Sequence, residues 1–536
     1  MLHRTLHILH RNVIHFIRLA WGKAAIALLL LLSGGLIAAW AVPLPDRLGE
    51  RDSTVVTWDD GEPAHVMLSE DDKLRMPVSL DRLDEDYVDA LLGLEDERFY
   101  MHPGVDPIAI VRAAISNATN GRVVSGGSTI TMQLVRLLEP RPRTLRSKVI
   151  EAFRAMQLEM HLSKEEILEA YLRFVPYGRN IEGVESAALA YYGETTEALS
   201  EGQIATLLAV PQAPGTRHPS EANAERLREG RRDIARTLYK EGLLFDRAED
   251  PEFGVDEALR QVAAEPVPES FTSVPRELPH VASWLRASEP DRDRFVTTLD
   301  ESTQETVEHL VAEREAEAAR GAVDNVAVVL TEHETGAVRA LVGNFDFSLK
   351  RSGGQIPAFD VARSTGSLLK PFVYADAIDG GKTTPRQRVP DVPKSFGHYT
   401  PHNFEYRYNG LVRMEDALAQ SLNVPLVELL RRVGVDEFAS TLRRLGLRRF
   451  NPKPGDQGLS MAVGGVEATP IEVTRLYAAL ANDGRPTPVS VLADQVDQER
   501  YRPVFGEGAS WMARDALRRR DRPDFPGRGA DLGPRA

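Results

Sequence analysis

The stretch Glu95-Asp96-Glu97-Arg98-Phe99-Tyr100-Met101-His102-Pro103-Gly104, followed after a short helix by Gly126-Gly127-Ser128-Thr129-Ile130-Thr131-Met132-Gln133-Leu134, decides how this chain is read. Upstream of it, Asp84 has the position of an N-cap, and Val88, Leu91 and Leu92 recur at helical spacing with Glu95 next on the same stripe. A carboxylate thus stands where the pattern asks for a hydrophobe. Poor hydration is what a general base working near neutral pH needs, although a lone Glu at a helix end is more often a boundary residue. Asp106-Pro107 then supplies a cap and a proline suited to a first helical turn, opening a helix through Ile110, Val111, Ala114 and Ile115. The polar, glycine-rich residues 117–127 read as a loop able to lie over a cleft.

From Ser128 onward, Ile130, Leu134, Leu137 and Leu138 form one helix face, while Thr129, Gln133 and Arg136 share the next. That second face offers hydrogen-bond donors and one fixed positive charge, suited to phosphate oxygens. Lys148 and Glu151 are i, i+3 neighbours on a later helix, a spacing that most often marks a surface pair. Ser163 and Glu166 form a capping box with Leu162 placed to staple onto Ile167. Gly183, Ala187, Ala188, Tyr191 and Tyr192 mark a further closely packed helix.

These residues resemble a known family. Glu95-Asp96-x-x-Phe99-x-x-His102-x-Gly104, Gly127-Ser128-Thr129-Ile130-Thr131-x-Gln133-Leu134, Lys148-x-x-Glu151-Ala152 and Lys164-x-x-Ile167-Leu168-x-x-Tyr171-Leu172 through Tyr192-Gly193 are similar to the successive motifs of peptidoglycan glycosyltransferases. Met132 and Val175-Pro176-Tyr177-Gly178 resemble the 1C branch of the class A penicillin-binding proteins. Ser147 departs from the Arg usual before the Lys, Arg173 from a usual Asn, and Met132 from the Gln of most branches. The resemblance implies that Glu95 is the base and Glu151 a second catalytic carboxylate, with Ser128, Thr129, Gln133, Arg136 and Lys148 binding substrate. The implied substrates are lipid II and the nascent glycan strand. No cofactor is required by the sequence, and a divalent cation, Mg or Mn, is compatible with the implied leaving group.

A second resemblance begins at Arg363-Ser364-Thr365-Gly366-Ser367-Leu368-Leu369-Lys370-Pro371. Pro371 confines the start of a helix to this region, placing Ser367 at its N-terminus and Lys370 one turn on. With Ser421-Leu422-Asn423 downstream, these match the Ser-x-x-Lys and Ser-x-Asn elements of penicillin-binding proteins. By resemblance Ser367 is the acylated nucleophile, Lys370 its proton acceptor, and Ser421 and Asn423 substrate-binding and relay groups. No Lys-Thr-Gly or Lys-Ser-Gly follows Asn423. The hairpin predicted over Val326–Val342 is therefore expected to lack neighbours, and the chain as given is expected not to cross-link peptides.

The 536 residues suffice for two or three domains, and a net charge of -14 argues against a nucleic-acid partner. The absence of cysteine excludes disulfides and thiolate chemistry. Ala24 to Val42 carries no charge, and its roughly 19 residues span about 28 Å as a helix, enough to cross a bilayer. Arg4, Arg11, Arg18 and Lys23 precede it, so the N-terminus is expected to be cytoplasmic and the remainder exported across the inner membrane. A cleaved signal peptide is the alternative.

The expected fold is multidomain: cytoplasmic tail and transmembrane helix over 1–43, an irregular acidic stalk over 44–83, and a mainly α, lysozyme-like glycosyltransferase domain over 84–240. A linker follows over 241–293, then a partial α/β, β-lactamase-like transpeptidase domain over 294–517 and a disordered tail over 518–536. The basic run Arg226 to Arg236 reads as a solvated helix face. Membrane and other cell-wall synthesis proteins are the expected partners. A glycan-cleaving hydrolase using the same two carboxylates, and a scaffold whose catalytic sites have decayed, remain the alternatives.

Overall fold

Asp84 opens helix α1 (Glu85–Glu95) as expected, accepting from the backbone N–H groups of Asp86 and Tyr87 and so satisfying two donors a helix start leaves orphaned. In this computed structural model, residues 40–120, 127–245, 254–321, 323–349, 353–447, 458–496 and 501–518 are described. The chain divides into two units: Met1–Val55 with Val66–Pro275, and Val56–His65 with Arg276–Ala536. The anchor expected over Ala24–Val42 lies outside the described residues except for its last three, and the tail beyond 518 lies outside them too. Among the described residues no helix is long and apolar enough to cross a membrane.

The first unit is helical. After α1 come α2 (Pro107–Asn120), α3 (Ile130–Leu138), α4 (Leu145–His161), α5 (Lys164–Phe174), α6 (Val184–Tyr192), α7 (Glu201–Ala209), α8 (Ala224–Glu241) and α9 (Val255–Ala264). Asp106 caps α2 through the N–H groups of Ile108 and Ala109, and the Ser163–Glu166 capping box opens α5. The core gathers Ile130, Leu134 and Leu138 of α3 with Leu158 of α4 and Ile167, Leu168 and Leu172 of α5. Each such side chain contributes about 1.5–3 kcal/mol by leaving water, so α3 is held firmly along its apolar stripe and its other face is free for chemistry. One stripe behaves otherwise: Ile108, Val111 and Ile115 of α2 are exposed.

One expectation about a connecting segment fails. The stretch 44–83 is not an irregular stalk, since it holds β1 (Thr54–Thr57), β2 (Pro63–Met67) and β3 (Leu74–Arg75). Its acidic flanks hid them, and their partners lie far along the chain: β3 pairs in parallel with β4 (Ile181–Glu182), while β1 sits between β2 and β5 (Arg294–Val296). The linker expected over 241–293 carries two short helices. Ala258 and Val262 bury one side of α9, and Pro279 stands in the first turn of α10 (Pro279–Ser288), where its missing N–H costs nothing.

In the second unit the hairpin around 56–65 is joined to the segment after β5: the Thr57 carbonyl accepts from Thr297 N and Oγ1, and Asp59 N donates to the Leu299 carbonyl. Helix α11 (Glu301–Arg320), capped by Asp300, precedes the predicted hairpin, found as β6 (Val328–Thr331) and β7 (Val338–Val342). This hairpin does not lack neighbours. Val338 N donates to the Ser490 carbonyl, and the Gln304 amide of α11 brackets Leu341, accepting from its N–H at 2.7 Å and donating to its carbonyl at 3.2 Å. At the turn, Gly336 has φ +78, and a Cβ there would stand 1.9 Å from the Pro488 carbonyl oxygen, so no other residue fits. A separate helical core joins α12 (Lys370–Asp379), α13 (Met414–Ala419), α14 (Asn423–Val433), α15 (Val435–Arg444), α16 (Pro470–Ala481) and α17 (Glu507–Leu517). A short antiparallel pair, β8 (Arg363–Ser364) with Glu467–Ala468, leads into α12.

Candidate active sites

Helix α3 organises the first site. Its N-terminus is pinned by Asp96, whose Oδ2 accepts from Ile130 N at 2.9 Å while its Oδ1 lies 3.0 Å from His102 Nε2. Thr129 caps the helix by accepting from Met132 N, and its hydroxyl donates to the Gly104 carbonyl at 2.6 Å. Its hydroxyl thus both donates and accepts within the fold, and Thr129 positions the start of the helix. Ser128, one residue earlier, is half-buried on the approach to α3.

The exposed face of α3 then reaches two carboxylates. Gln133 Nε2 donates to Glu95 Oε2 at 2.9 Å, and its Oε1 accepts from the Tyr171 hydroxyl at 3.5 Å. One turn on, Arg136 forms a bidentate pair with Glu151, Nε to Oε1 at 3.1 Å and Nη2 to Oε2 at 2.8 Å. The expected Lys148–Glu151 pairing is not made. Glu151 is only 4% exposed and gives both oxygens to Arg136, while Lys148 projects from α4 into solvent. The paired carboxylate raises the Arg136 pKa, fixing a permanent cation on the open side of the helix. Burial, reinforced by the Glu95 charge, pushes the Tyr171 hydroxyl well above its ordinary value, so it stays a donor to Gln133.

Sequence reasoning passed over Asp96, Tyr171 and Tyr87 as contributors. Asp96 and His102 were both within the quoted stretch, and their spacing was the available signal. Tyr87, fully buried on α1 with its hydroxyl 3.1 Å from that of Tyr177, is the central core residue of the helix that carries Glu95. The departure at Arg173 has a structural account: its guanidinium bonds Asp52 and the Glu50 carbonyl and stacks on Phe174, tying residues 48–52 to α5. Ser147, the other departure, is buried beside the Thr144 cap of α4.

In the second unit, α12 begins at Lys370, so Ser367 lies in the turn leading into the helix and not in its first turn. Its carbonyl accepts from Lys370 N at 3.2 Å and its side chain is exposed. Lys370 is 1% exposed, and its Nζ donates to the Ser421 carbonyl at 2.6 Å, Ser421 Oγ at 3.1 Å and Asn423 Oδ1 at 2.5 Å. Burial lowers its pKa to about 8, close to where it can accept a proton. Ser421 holds φ +56 between α13 and α14, which turns its carbonyl and hydroxyl together onto the lysine. Ser367, Lys370, Ser421 and Asn423 thus come from two helix starts more than fifty residues apart, and the last three form one hydrogen-bonded cluster.

Residues 60–239 match the Transglycosylase family, and residues 326–530 match the penicillin binding protein transpeptidase domain. Penicillin-binding protein 1C of Escherichia coli is 34% identical over 497 residues, covering 92% of this chain and 61% of that protein. Penicillin-binding protein 1B of Vibrio cholerae is 32% identical over 83% of this chain and 59% of its own length, and penicillin-binding protein 1F of Bacillus subtilis is 27% identical over 82% and 62%. The chain therefore spans about three fifths of the length of these relatives. With a transglycosylase domain followed by a transpeptidase domain, each built around the residues its motifs name, the chain belongs to the class A penicillin-binding proteins.

Proposed function

We propose that the first unit polymerises lipid II into glycan strands. Glu95 takes the proton from a sugar hydroxyl of the acceptor lipid II, the oxygen attacks the anomeric carbon of the growing chain with inversion, and undecaprenyl pyrophosphate leaves. Arg136 and Lys148 receive the charge developing on that leaving group, and Glu151 acts by holding the Arg136 guanidinium in place. The observation that carries this reading is the placement of Gln133 and Arg136 one turn apart on α3, each bonded to one of the two motif carboxylates. A divalent cation, Mg or Mn, is compatible with the pyrophosphate leaving group, and the side chain that reaches both oxygens of Glu151 in this structure is Arg136. The proposed setting is the outer face of the inner membrane, with the chain anchored by Ala24 to Val42.

The Lys370 cluster supports Ser367 as the nucleophile of an acyl-transfer site. The activity proposed for the first unit is polymerisation, and it is tested separately from any acyl transfer at Ser367. The test incubates the purified chain with lipid II and resolves the products. Glycan polymer is expected from the wild type, a loss of about 10²-fold or more from Glu95→Gln with lipid II binding retained, and nearly full activity from Glu97→Gln. Glu97 is exposed and off the α1 stripe, so equal losses from both substitutions would mean that Glu95 is not the base.

A further inference from the structure

Helix α8, whose basic run reads from sequence as a solvated face, carries Arg231 at 5% exposure. Its Nη2 donates to the Glu265 carbonyl at 2.9 Å, and no carboxylate pairs with it among the described residues. A guanidinium has five donors and is seldom buried without a direct ion pair; here burial outweighs the help of the nearby Glu265 charge, and a single backbone contact leaves most of its donors open.

The residue stands at the wall of a cavity of about 800 Å³ between α8, α9 and the chain leaving α9. That volume lies within the range of small-molecule sites. Arg228, Arg231 and Arg232 face it from α8 at i, i+3 and i+4, and Arg260 faces it from α9. Two of the carboxylates around it are paired with arginines, and Glu265 acts on Arg231 through its charge without an ion-pair contact. Glu269 pairs with Arg228 at 2.7 Å, the Glu265 side chain accepts from the Ser200 hydroxyl, and Glu257 beside the cavity pairs with Arg260 at 2.6 Å. Asp256 lies at the exposed start of α9. Arg232 is exposed and, like Arg231, has no ion pair among the described residues, so two guanidinium groups remain for a ligand. The rest of the lining is apolar, from Leu259, Val262, Pro266 and Val267.

We propose that this cavity is a binding site for an organic anion, with a phosphate or carboxylate head on Arg231 and Arg232 and an apolar body against Leu259, Val262 and Val267. Two adjacent guanidinium forks match the paired oxygens of such a head, and the apolar wall rewards a hydrocarbon body that a free inorganic anion lacks. The site involves none of the residues of α3, and the proposal stands apart from the polymerisation reading.

The test is isothermal titration of the full chain with hexyl phosphate, hexanoate, inorganic phosphate and hexanol. One-to-one binding of hexyl phosphate or hexanoate is expected, at least about tenfold tighter than inorganic phosphate, with none for hexanol. Arg232→Ala, a change at an exposed position, should weaken binding at least about fivefold, and Arg231→Lys, which keeps the charge and loses the fork, should weaken it too. Absence of binding by both organic anions, equal binding of inorganic phosphate or hexanol, or unchanged affinity in Arg232→Ala would each overturn the proposal.

Discussion

Gln133 and Arg136 divide the work of one helix face by chemistry alone. The amide can donate to Glu95 while accepting from Tyr171, so it holds the carboxylate without neutralising it; the guanidinium makes a full ion pair and so removes Glu151 from solvent. Lys370 is the comparable residue of the second unit, and its burial makes a pH-dependent claim. An ordinary lysine titrates near 10.5 and this one near 8, so between those values the unfolded chain is protonated while the folded chain is not. Stability therefore falls as pH drops from about 10.5 to about 8 and is level below, by about 3 kcal/mol for this one group. Lys370→Met removes that dependence. The difference in unfolding free energy between variant and wild type should grow in the variant's favour from pH 10.5 to pH 8, as read by denaturant titration, and a difference that is flat with pH would show that the lysine is not buried as found.

Among the elements, the short parallel pair β3–β4 is held by charge more than by its length. Arg75, wholly buried on β3, reaches Asp71 at 2.6 Å, Glu182 on β4 at 3.3 Å and Glu50 at 3.2 Å, while Arg47 shares Glu182 at 2.6 Å. Arg47, Arg75 and Arg173 all stand over the Phe174 ring. Removing one partner from such a network leaves buried charge uncompensated. Arg75→Met is expected to cost about 3–5 kcal/mol in unfolding free energy, and the double change Arg75→Met with Glu182→Met to recover part of that loss. Equal destabilisation by the single and double variants would show that the arginine acts through packing instead.

At the scale of the whole molecule, the division into units does not follow chain order, because Val56–His65 belongs with the residues after Arg276. Within that second unit the hairpin supplies the Thr57 and Asp59 contacts to Thr297 and Leu299, beside the fully buried Phe295. A fragment beginning at Arg276 should accordingly be less stable, by a few kcal/mol at about 1 kcal/mol per lost hydrogen bond, than the same fragment with residues 54–67 fused through a flexible linker. Identical melting temperatures would show that the hairpin is dispensable.

What the sequence determined by itself was local. The caps at Asp84, Asp106, Ser163 and Asp300 stand where their side chains satisfy the next few N–H groups, because each of these choices is made within a few residues of chain. The motif residues Glu95, Glu151, Ser367 and Lys370 were legible for a related reason, since their spacing is written in the chain. Partner choice was decided only in three dimensions. Whether Glu151 meets Lys148 one turn away or Arg136 on another helix, and whether 44–83 is a stalk or three strands, depend on segments tens to hundreds of residues distant. Periodicity assigns a side chain to a face of its own element and carries no information about what is packed against that face, which is why the helix through Ile110, Val111 and Ile115 was legible while the exposure of these side chains was not.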